Sequence, residues 1–380
     1  MKYKLGEIAE ITMGQSPKSQ YYNNTGDGIP FLQGNRTFGF KKPTFDTYTT
    51  HITKTAKAGD VIMSVRAPVG DLNITPKDIC IGRGVCSLRM KNGNQEFLYY
   101  MMKYYVNHLL KRESGTVFGS VNRHDIETLE IDIPEDENIQ KKIARYLSMI
   151  DEKIELNSFI NNNLLEQALT LYATQFSSLE LNGCIGDYCS VKSGFAFKSS
   201  WWTNSGIRVI KIGSINQDNL NLLECSYVDE DKADKAKDFV VKAGDLLIAM
   251  TGATIGKFAM VPYASEMLLV NQRVGKFFLG NNPVEKLPFI YCTLKQPEVY
   301  GEVVNRGQGS AQPNISASDI MSIPCVIPSK EAINKFNETV KPLFDLIISN
   351  QRENQQLSSL RDLLLPRLMS GELDVSDINL

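Results

Sequence analysis

A large part of this 380-residue sequence occurs as two similar copies, and this internal repeat constrains the fold more than any other feature. The offset between the copies drifts slowly, as it does when loops differ in length. The matching segments are KAGDVIMSVRAPVG (57–70) with KAGDLLIAMTGATIG (242–256), LGEIAEITMG (5–14) with IGDYCSVKSG (185–194), and DIETLEIDIP (125–134) with DIMSIPCVIP (319–328). The shared Ala-Gly-Asp stretch predicts a turn that feeds a buried strand in each of two sister domains of mixed α/β (α+β) structure.

A long heptad pattern follows each copy and predicts two long helices. The first seam is Ile143, Leu147, Ile150, Ile154, Asn157, Asn161, Leu164, Ala168 and Leu171. A shift of 193 residues gives the second: Phe336, Val340, Leu343, Ile347, Asn350, Asn354, Leu357, Arg361 and Leu364. A single apolar stripe on a helix this long needs a partner, so we expect the two helices to pair as an antiparallel coiled coil.

The two seams share a pair of polar interruptions at matching positions. If a pseudo-twofold axis relates the two copies, Asn157 opposes Asn354 and Asn161 opposes Asn350. Buried Asn–Asn hydrogen bonds would then fix the register of the pair. The alternative is a seam that opens to water at mid-length.

Prolines mark the expected helix ends. Pro134 and Pro328 precede the two helices, and Pro366 is expected to end the second pattern. Pro342 predicts a late start or a kink in the second helix. The segments 97–113 and 287–304 are expected to be corresponding helices that pack on the strands.

The net charge of −2 conceals unevenly distributed blocks. Residues 1–124 contain 17 Lys or Arg and nine Asp or Glu, whereas residues 125–182 contain four and twelve. A basic first block is compatible with a polyanion partner. Seven scattered cysteines without a Cys-x-x-Cys pair argue against a disulfide framework or a zinc site. No membrane span or signal peptide is indicated, which predicts a cytoplasmic protein.

No catalytic motif accompanies the repeat. The sequence has no phosphate-binding loop, no nucleophile elbow and no Pro-Pro pair of the kind found in amino-methyltransferases. We therefore expect no catalysis by this chain alone. The Gly-, Ser- and Asn-rich loops 114–126 and 305–320 occupy matching places and suit close approach to phosphates and base edges. Ordinary flexible connections remain the alternative.

Together the repeat, the paired Ala-Gly-Asp turns, GSAQPNISASDI, QKKIARYLSMIDEKIELN and LRDLLLPRLMSGEL resemble the specificity subunits of type I DNA restriction–modification systems. The resemblance implies target recognition domains at 1–135 and 183–328, a central helical spacer at 136–182, and a C-terminal helical spacer and tail at 329–380. Each domain would read half of a bipartite double-stranded DNA target, while the helices set the spacing and dock two modification subunits. Restriction subunits would join them. S-adenosylmethionine, ATP and Mg would belong to those partners, leaving this chain without a cofactor or metal.

Basic residues at loop and strand ends are the candidate DNA contacts. They are Lys18, Arg36, Arg66, Arg83 and Arg123 in the first domain, and Lys198, Arg208, Lys211, Arg273 and Arg306 in the second. Arg83 aligns with Arg273 in this comparison. Trp201 and Trp202 are expected to pack as an aromatic pair, with stacking on bases as the alternative.

Two other functions are compatible with part of the sequence. One is a non-catalytic coiled-coil scaffold with two protein- or ligand-binding modules. The other is a self-sufficient DNA methyltransferase, which the missing motif disfavours.

Overall fold

The computed structural model describes residues 1–111, 119–264, 266–307 and 313–375. The chain divides into two compact units: residues 1–155 with 357–380 form unit 1, and residues 156–356 form unit 2. Each unit takes one part of each of two long helices. The division of the chain into four segments that the resemblance implies stays a prediction.

Unit 1 is built from short strands and three helices before the first long helix. Its strands are β1 (Lys2–Lys4), β2 (Ala9–Met13), β3 (Tyr22–Asn23), β4 (Ile29–Leu32), β5 (Tyr48–Thr49), β6 (Thr55–Ala56), β7 (Val61–Ser64), β8 (Leu72–Ile74), β9 (Ile79–Ile81), β10 (Val85–Met90) and β11 (Glu130–Asp132). Its helices are α1 (Leu5–Ile8), α2 (Gln95–Lys111) and α3 (Arg123–Glu127), followed by the start of α4 (Glu137–Phe176).

Unit 2 repeats this order with extra short elements. Its strands are β12 (Gly183–Cys184), β13 (Ser190–Ser193), β14 (Trp202–Thr203), β15 (Ile207–Ile210), β16 (Ile215–Asn216), β17 (Asn219–Leu220), β18 (Ser226–Val228), β19 (Val240–Val241), β20 (Leu246–Ala249), β21 (Phe258–Met260), β22 (Leu268–Val270), β23 (Val274–Phe278) and β24 (Pro324–Cys325). Its helices are α5 (Ile185–Tyr188), α6 (Glu230–Ala233), α7 (Leu287–Leu294), α8 (Pro297–Gly307), α9 (Ala317–Met321) and the start of α10 (Lys330–Met369).

The sheets confirm the internal repeat strand by strand. Unit 1 has an antiparallel sheet of order β2-β10-β7-β8, and unit 2 has β13-β23-β20-β21. The five-stranded sheets have orders β3-β5-β4-β9-β6 and β14-β18-β15-β22-β19, each with one parallel pair, β4–β9 and β15–β22. The chain therefore has a mixed α/β fold made of two copies of one domain architecture.

The Ala-Gly-Asp turns are scaffold, as the sequence predicts. Gly59 and Gly244 have φ angles of 84° and 82°, a region that glycine adopts at little cost. The next residue, Asp60 or Asp245, is buried and accepts a hydrogen bond from the backbone N–H of Lys57 or Lys242. Each turn leads into β7 or β20, all of whose residues are buried.

The long helices run antiparallel. In unit 1, Ile143 and Leu147 of α4 share a core cluster with Leu365 and Leu368 of α10. In unit 2, residues further along α4 contact earlier residues of α10, since Asn157 hydrogen-bonds Asn354. Contacts that move forward on one helix while they move backward on the other define an antiparallel pair.

Three expectations about helix bounds are wrong. α10 begins at Lys330, so Pro342 does not delay its start, and the alternative of a kink at Pro342 stays a prediction. α10 also continues through Pro366 to Met369. The helix expected over 287–304 is two helices, α7 and α8. The break falls before Pro297, which disfavours helical backbone at the preceding Gln296.

Candidate nucleic-acid interface

Several loops of unit 1 meet at one edge of its sheets, where β2, β4, β7 and β9 end. Backbone hydrogen bonds hold them together: Gly14 N to Val85 O (2.9 Å), Gln15 N to Ile81 O (2.9 Å), Gly84 N to Gln33 O (3.0 Å), Val65 N to Gly84 O (2.9 Å) and Val121 N to Val65 O (3.1 Å). These bonds give the loops a fixed mutual arrangement, and we name this edge reading edge 1.

Unit 2 builds the same edge with equivalent bonds. They are Gly194 N to Val274 O (3.0 Å), Phe195 N to Val270 O (2.8 Å), Met250 N to Arg273 O (3.0 Å) and Ile315 N to Met250 O (2.9 Å). We name this edge reading edge 2. The two edges share a backbone frame and differ in the side chains that they expose.

The hydrogen bonds of a tight turn at each edge show that Arg83 and Arg273 are not equivalent, contrary to the prediction from the sequence alignment. Val65 N bonds to the carbonyl of Gly84, whereas the equivalent Met250 N bonds to the carbonyl of Arg273. Arg273 therefore corresponds to Gly84, and Arg83 corresponds to Gln272, one residue earlier.

Arg66 and Arg83 are the predicted DNA residues that unit 1 brings to this edge. Both side chains are exposed. Arg66 forms an isolated β-bridge with Ser120, and the backbone N–H of Arg83 donates to Oγ of Ser16 at 3.1 Å. Ser16 Oγ in turn donates to Oε1 of Gln33 at 2.8 Å, so side chains also fix the turn.

The other predicted residues of unit 1 have different surroundings. Arg36 pairs with Asp46 at 2.7 Å, and Arg123 pairs with Glu127 one turn along α3. The hydrogen bonds from Arg36 and Thr47 hold the pKa of the Asp46 carboxyl below its usual range. Lys18 is exposed and lies just before a short 3₁₀ turn at Ser19–Tyr21.

In unit 2 two of the predicted residues flank tryptophans. The Nζ of Lys211 lies 3.5 Å from the centre of the Trp202 ring, and Lys198 lies 5.7 Å from that of Trp201. Burial lowers the pKa of Lys211. Both tryptophans are half-buried: Trp201 packs against Phe195 and Trp202 against Phe197. Each therefore packs in an aromatic cluster through a phenylalanine, and each leaves part of its surface exposed.

Arg208, Arg273 and Arg306 complete the set. Arg208 pairs with Glu266 and lies over the Tyr227 ring, while Arg273 is exposed at reading edge 2. Arg306 pairs with Glu302 and donates to Oγ of Ser322 at 2.7 Å, so it ties α8 to the end of α9. Parts of the loops 114–126 and 305–320, namely 114–118 and 308–312, lie outside the described residues.

The four seam asparagines meet within unit 2. Asn157 Nδ2 donates to Oδ1 of Asn354 at 2.9 Å, and Asn350 Nδ2 donates to Oδ1 of Asn161 at 2.8 Å. Asn157 and Asn350 are buried. Their role in fixing the register stays a proposal.

Unit 1 contains a buried ionic network that the sequence did not predict. Arg361 Nη1 lies 2.8 Å from Oδ1 of Asp151, whose Oδ2 accepts from the hydroxyl of Tyr100 at 2.7 Å. Burial and the negative charge of Asp151 raise the pKa of Tyr100. Lys41, between β4 and β5, donates to Tyr100 at 3.3 Å and pairs with Glu96. The available signal was Arg361 in the apolar seam, because a buried guanidinium requires an acidic partner.

Unit 2 has a corresponding network with the charges reversed. Asp218, between β16 and β17, accepts from the hydroxyl of Tyr291 and pairs with Lys295. Its backbone carbonyl accepts from Gln351 of α10 at 2.9 Å, and Gln355 donates to Leu220 at 3.0 Å. In both units, therefore, the segment between equivalent strands (β4–β5 or β15–β18) carries a charged residue that docks beside the long helices.

The described ranges contain neither a metal-binding cluster nor a membrane-spanning helix. No group of three or more His, Cys, Asp or Glu side chains there is arranged to hold a metal ion. No helix in those ranges combines the length and the apolar content needed to cross a membrane.

Comparison with known proteins identifies the family. The family model of the type I restriction modification DNA specificity domain matches residues 1–167 and, a second time, residues 181–359. The chain therefore belongs to this family of specificity proteins, and the tandem match coincides with the internal repeat.

Relatives match this chain along nearly its whole length. The type I restriction enzyme MjaIX specificity subunit of Methanocaldococcus jannaschii is 25% identical over 99% of this chain and 94% of the relative. The HindI specificity subunit of Haemophilus influenzae is 22% identical over 98% and 99%. A higher identity of 40%, with the MjaX specificity subunit of M. jannaschii, covers only 41% of this chain and 40% of that relative.

A solved structure shows the shared fold. The crystal structure of the type I restriction–modification S subunit from M. genitalium aligns over 97% of this chain and 95% of that chain, with a TM-score of 0.56 and 18% identity.

Proposed function

We propose that the chain is the DNA-recognition subunit of a type I restriction–modification complex, in which each unit reads one half of a bipartite target. The observation that carries this proposal is the pair of reading edges. They repeat four backbone hydrogen bonds while they expose different side chains. One frame with two sets of side chains is what recognition of two unlike half-sites requires.

The long helices set the distance between the half-sites. A 40-residue helix such as α4 or α10 is about 60 Å long, which exceeds one DNA turn of roughly 34 Å. The seam asparagines hold the pair in one register, because each polar side chain finds a partner only when Asn157 faces Asn354 and Asn161 faces Asn350.

Two modification subunits dock on the helices, and restriction subunits join this assembly. The chain itself is non-catalytic and binds no cofactor. S-adenosylmethionine, ATP and Mg bind to the partner subunits, which supply methylation and cleavage. The complex works in the cytoplasm, where the DNA is accessible.

A binding experiment tests the proposal. The chain, purified with its modification subunit, is used to select duplexes from a randomised DNA library, and the affinity for the selected duplex is measured between 50 and 200 mM salt. We expect a bipartite consensus and an affinity that falls by about 10³-fold or more over this range, as for a protein with six or more phosphate contacts. Selection without any consensus, or binding that does not depend on salt, would contradict it and favour a protein-binding scaffold.

A further inference from the structure

The tight turns at the two reading edges share two backbone hydrogen bonds. Both are four-residue turns closed by a bond from the fourth N–H to the first carbonyl: Val85 N to Gly82 O at 3.0 Å, and Val274 N to Asn271 O at 2.9 Å. The first residue of each turn also donates to the preceding parallel strand, Gly82 N to Leu32 O at 2.8 Å and Asn271 N to Ile210 O at 3.0 Å.

The second position of each turn is exposed and differs between the units. It is Arg83 at reading edge 1 and Gln272 at reading edge 2. Both are anchored by their backbone N–H groups, Arg83 to Oγ of Ser16 and Gln272 to the carbonyl of Phe195 at 2.9 Å. A rigid backbone therefore presents one long polar side chain at the same place in each unit.

The third position differs for a steric reason. A Cβ atom on Gly84 would lie 2.5 Å from the carbonyl oxygen of Gln33, so only glycine fits there. Reading edge 2 accepts Arg273 at this position with its side chain exposed. The turn at reading edge 1 thus offers one arginine, while the turn at reading edge 2 offers a glutamine followed by an arginine.

We propose that these turns read one base in each half-site, with Arg83 recognising guanine and Gln272 recognising adenine. Arginine matches the two acceptors of guanine in the major groove, O6 and N7. Glutamine matches the N7 acceptor and the N6 donor of adenine. In unit 2, Arg273 then contacts the DNA phosphate backbone beside that base. This assignment rests on the proposed function.

The test is single-molecule methylome sequencing of cells that express the chain with its modification subunit, comparing wild type, Arg83→Gln, Gln272→Arg and Lys57→Gln. Lys57→Gln is the control, because Lys57 lies at the opposite end of β7 and pairs with Asp78 on the surface. We expect Arg83→Gln to weaken a guanine preference about tenfold or more at one position of one half-site. Gln272→Arg should weaken an adenine preference in the other half-site, and the control should leave the motif unchanged.

Unchanged preferences in both variants, or a lower level of methylation that keeps the wild-type base preferences, would overturn the assignment, since the second result marks a phosphate contact. If a variant abolishes methylation, the purified assembly is tested with duplexes that carry each of the four bases at the assigned position. Equal binding to all four supports the proposal, and the wild-type preference refutes it. A wild type without a bipartite motif would instead refute the proposed function.

Discussion

Arg361 on α10 and Asp151 on α4 form a buried ion pair of 2.8 Å in the part of the helix pair that belongs to unit 1. The 193-residue offset makes Arg361 equivalent to Ala168, and Asp151 equivalent to Phe344, which are both buried in the core of unit 2. The equivalent positions thus hold an ion pair in unit 1 and two buried apolar residues in unit 2. Asp151 accepts hydrogen bonds from Arg361 and from Tyr100, and Tyr100 accepts one from Lys41. This chain of contacts connects the long helices with the segment that follows β4.

Arg361→Ala should destabilise the chain strongly, because it leaves the Asp151 carboxylate buried without its partner. We expect a loss of about 3–5 kcal/mol in the free energy of unfolding. The matched control is the double variant Arg361→Ala with Asp151→Phe, which places the residue types of unit 2, Ala168 and Phe344, at the equivalent positions and should recover most of the loss. Denaturant unfolding measures both, and a double variant no more stable than the single one would show that the ion pair is not the cause.

Replacing Asn157, Asn161, Asn350 and Asn354 together with leucine should keep the helices associated but relax their register. An all-apolar seam is compatible with several alignments and with association between chains. Light scattering coupled to size-exclusion chromatography should then show species larger than those of the wild type. A control that exchanges Ile154 and Ile347 for leucine should keep the size of the wild type. A single species with wild-type size and activity would discard the register role.

Inserting seven residues into both long helices at facing positions should lengthen the unread spacer of the DNA target. Seven residues preserve the heptad seam and add about 10 Å to each helix, equivalent to at most about three base pairs. Methylome sequencing reports the spacer directly, and half-sites of unchanged sequence serve as the internal control. Retention of the original spacing would show that the helices do not set it.

Asp218→Ala should destabilise unit 2 by about 2 kcal/mol, since Tyr291 and Lys295 would lose a charge-assisted hydrogen-bond partner. Within the described ranges, Asp218 is the one non-glycine residue with positive φ (65°). Asparagine tolerates this backbone conformation, so Asp218→Asn should lower the free energy of unfolding less than Asp218→Ala does. Asp231→Ala, which removes an exposed ion pair with Lys232, is the control and should be nearly neutral in thermal unfolding. Equal effects of Asp218→Ala and the control would refute the role of the Asp218 network.

The sequence predicted the features that repeat or follow a period. The tandem copies, the buried strands after the Ala-Gly-Asp turns and the two long helices all left such a signal. It also paired Asn157 with Asn354, because a heptad seam and a constant offset leave one antiparallel alignment of the polar positions. Here the structure places the two side chains within hydrogen-bond distance.

Features that depend on contacts distant in sequence could not be predicted. Lys41 and Asp218 lie in irregular segments without periodicity, and their partners Tyr100 and Tyr291 are 59 and 73 residues away. Arg83 was aligned with Arg273 by residue identity, whereas hydrogen bonding to the neighbouring strand shows that the equivalent residue is Gln272.

The methylome of cells that express the wild-type chain with its modification subunit tests the central claim most directly. We predict one methylated motif made of two specific half-sites of different sequence, separated by a spacer of constant length and no specificity. A single contiguous motif, or methylation without sequence preference, would contradict recognition of two half-sites by two units.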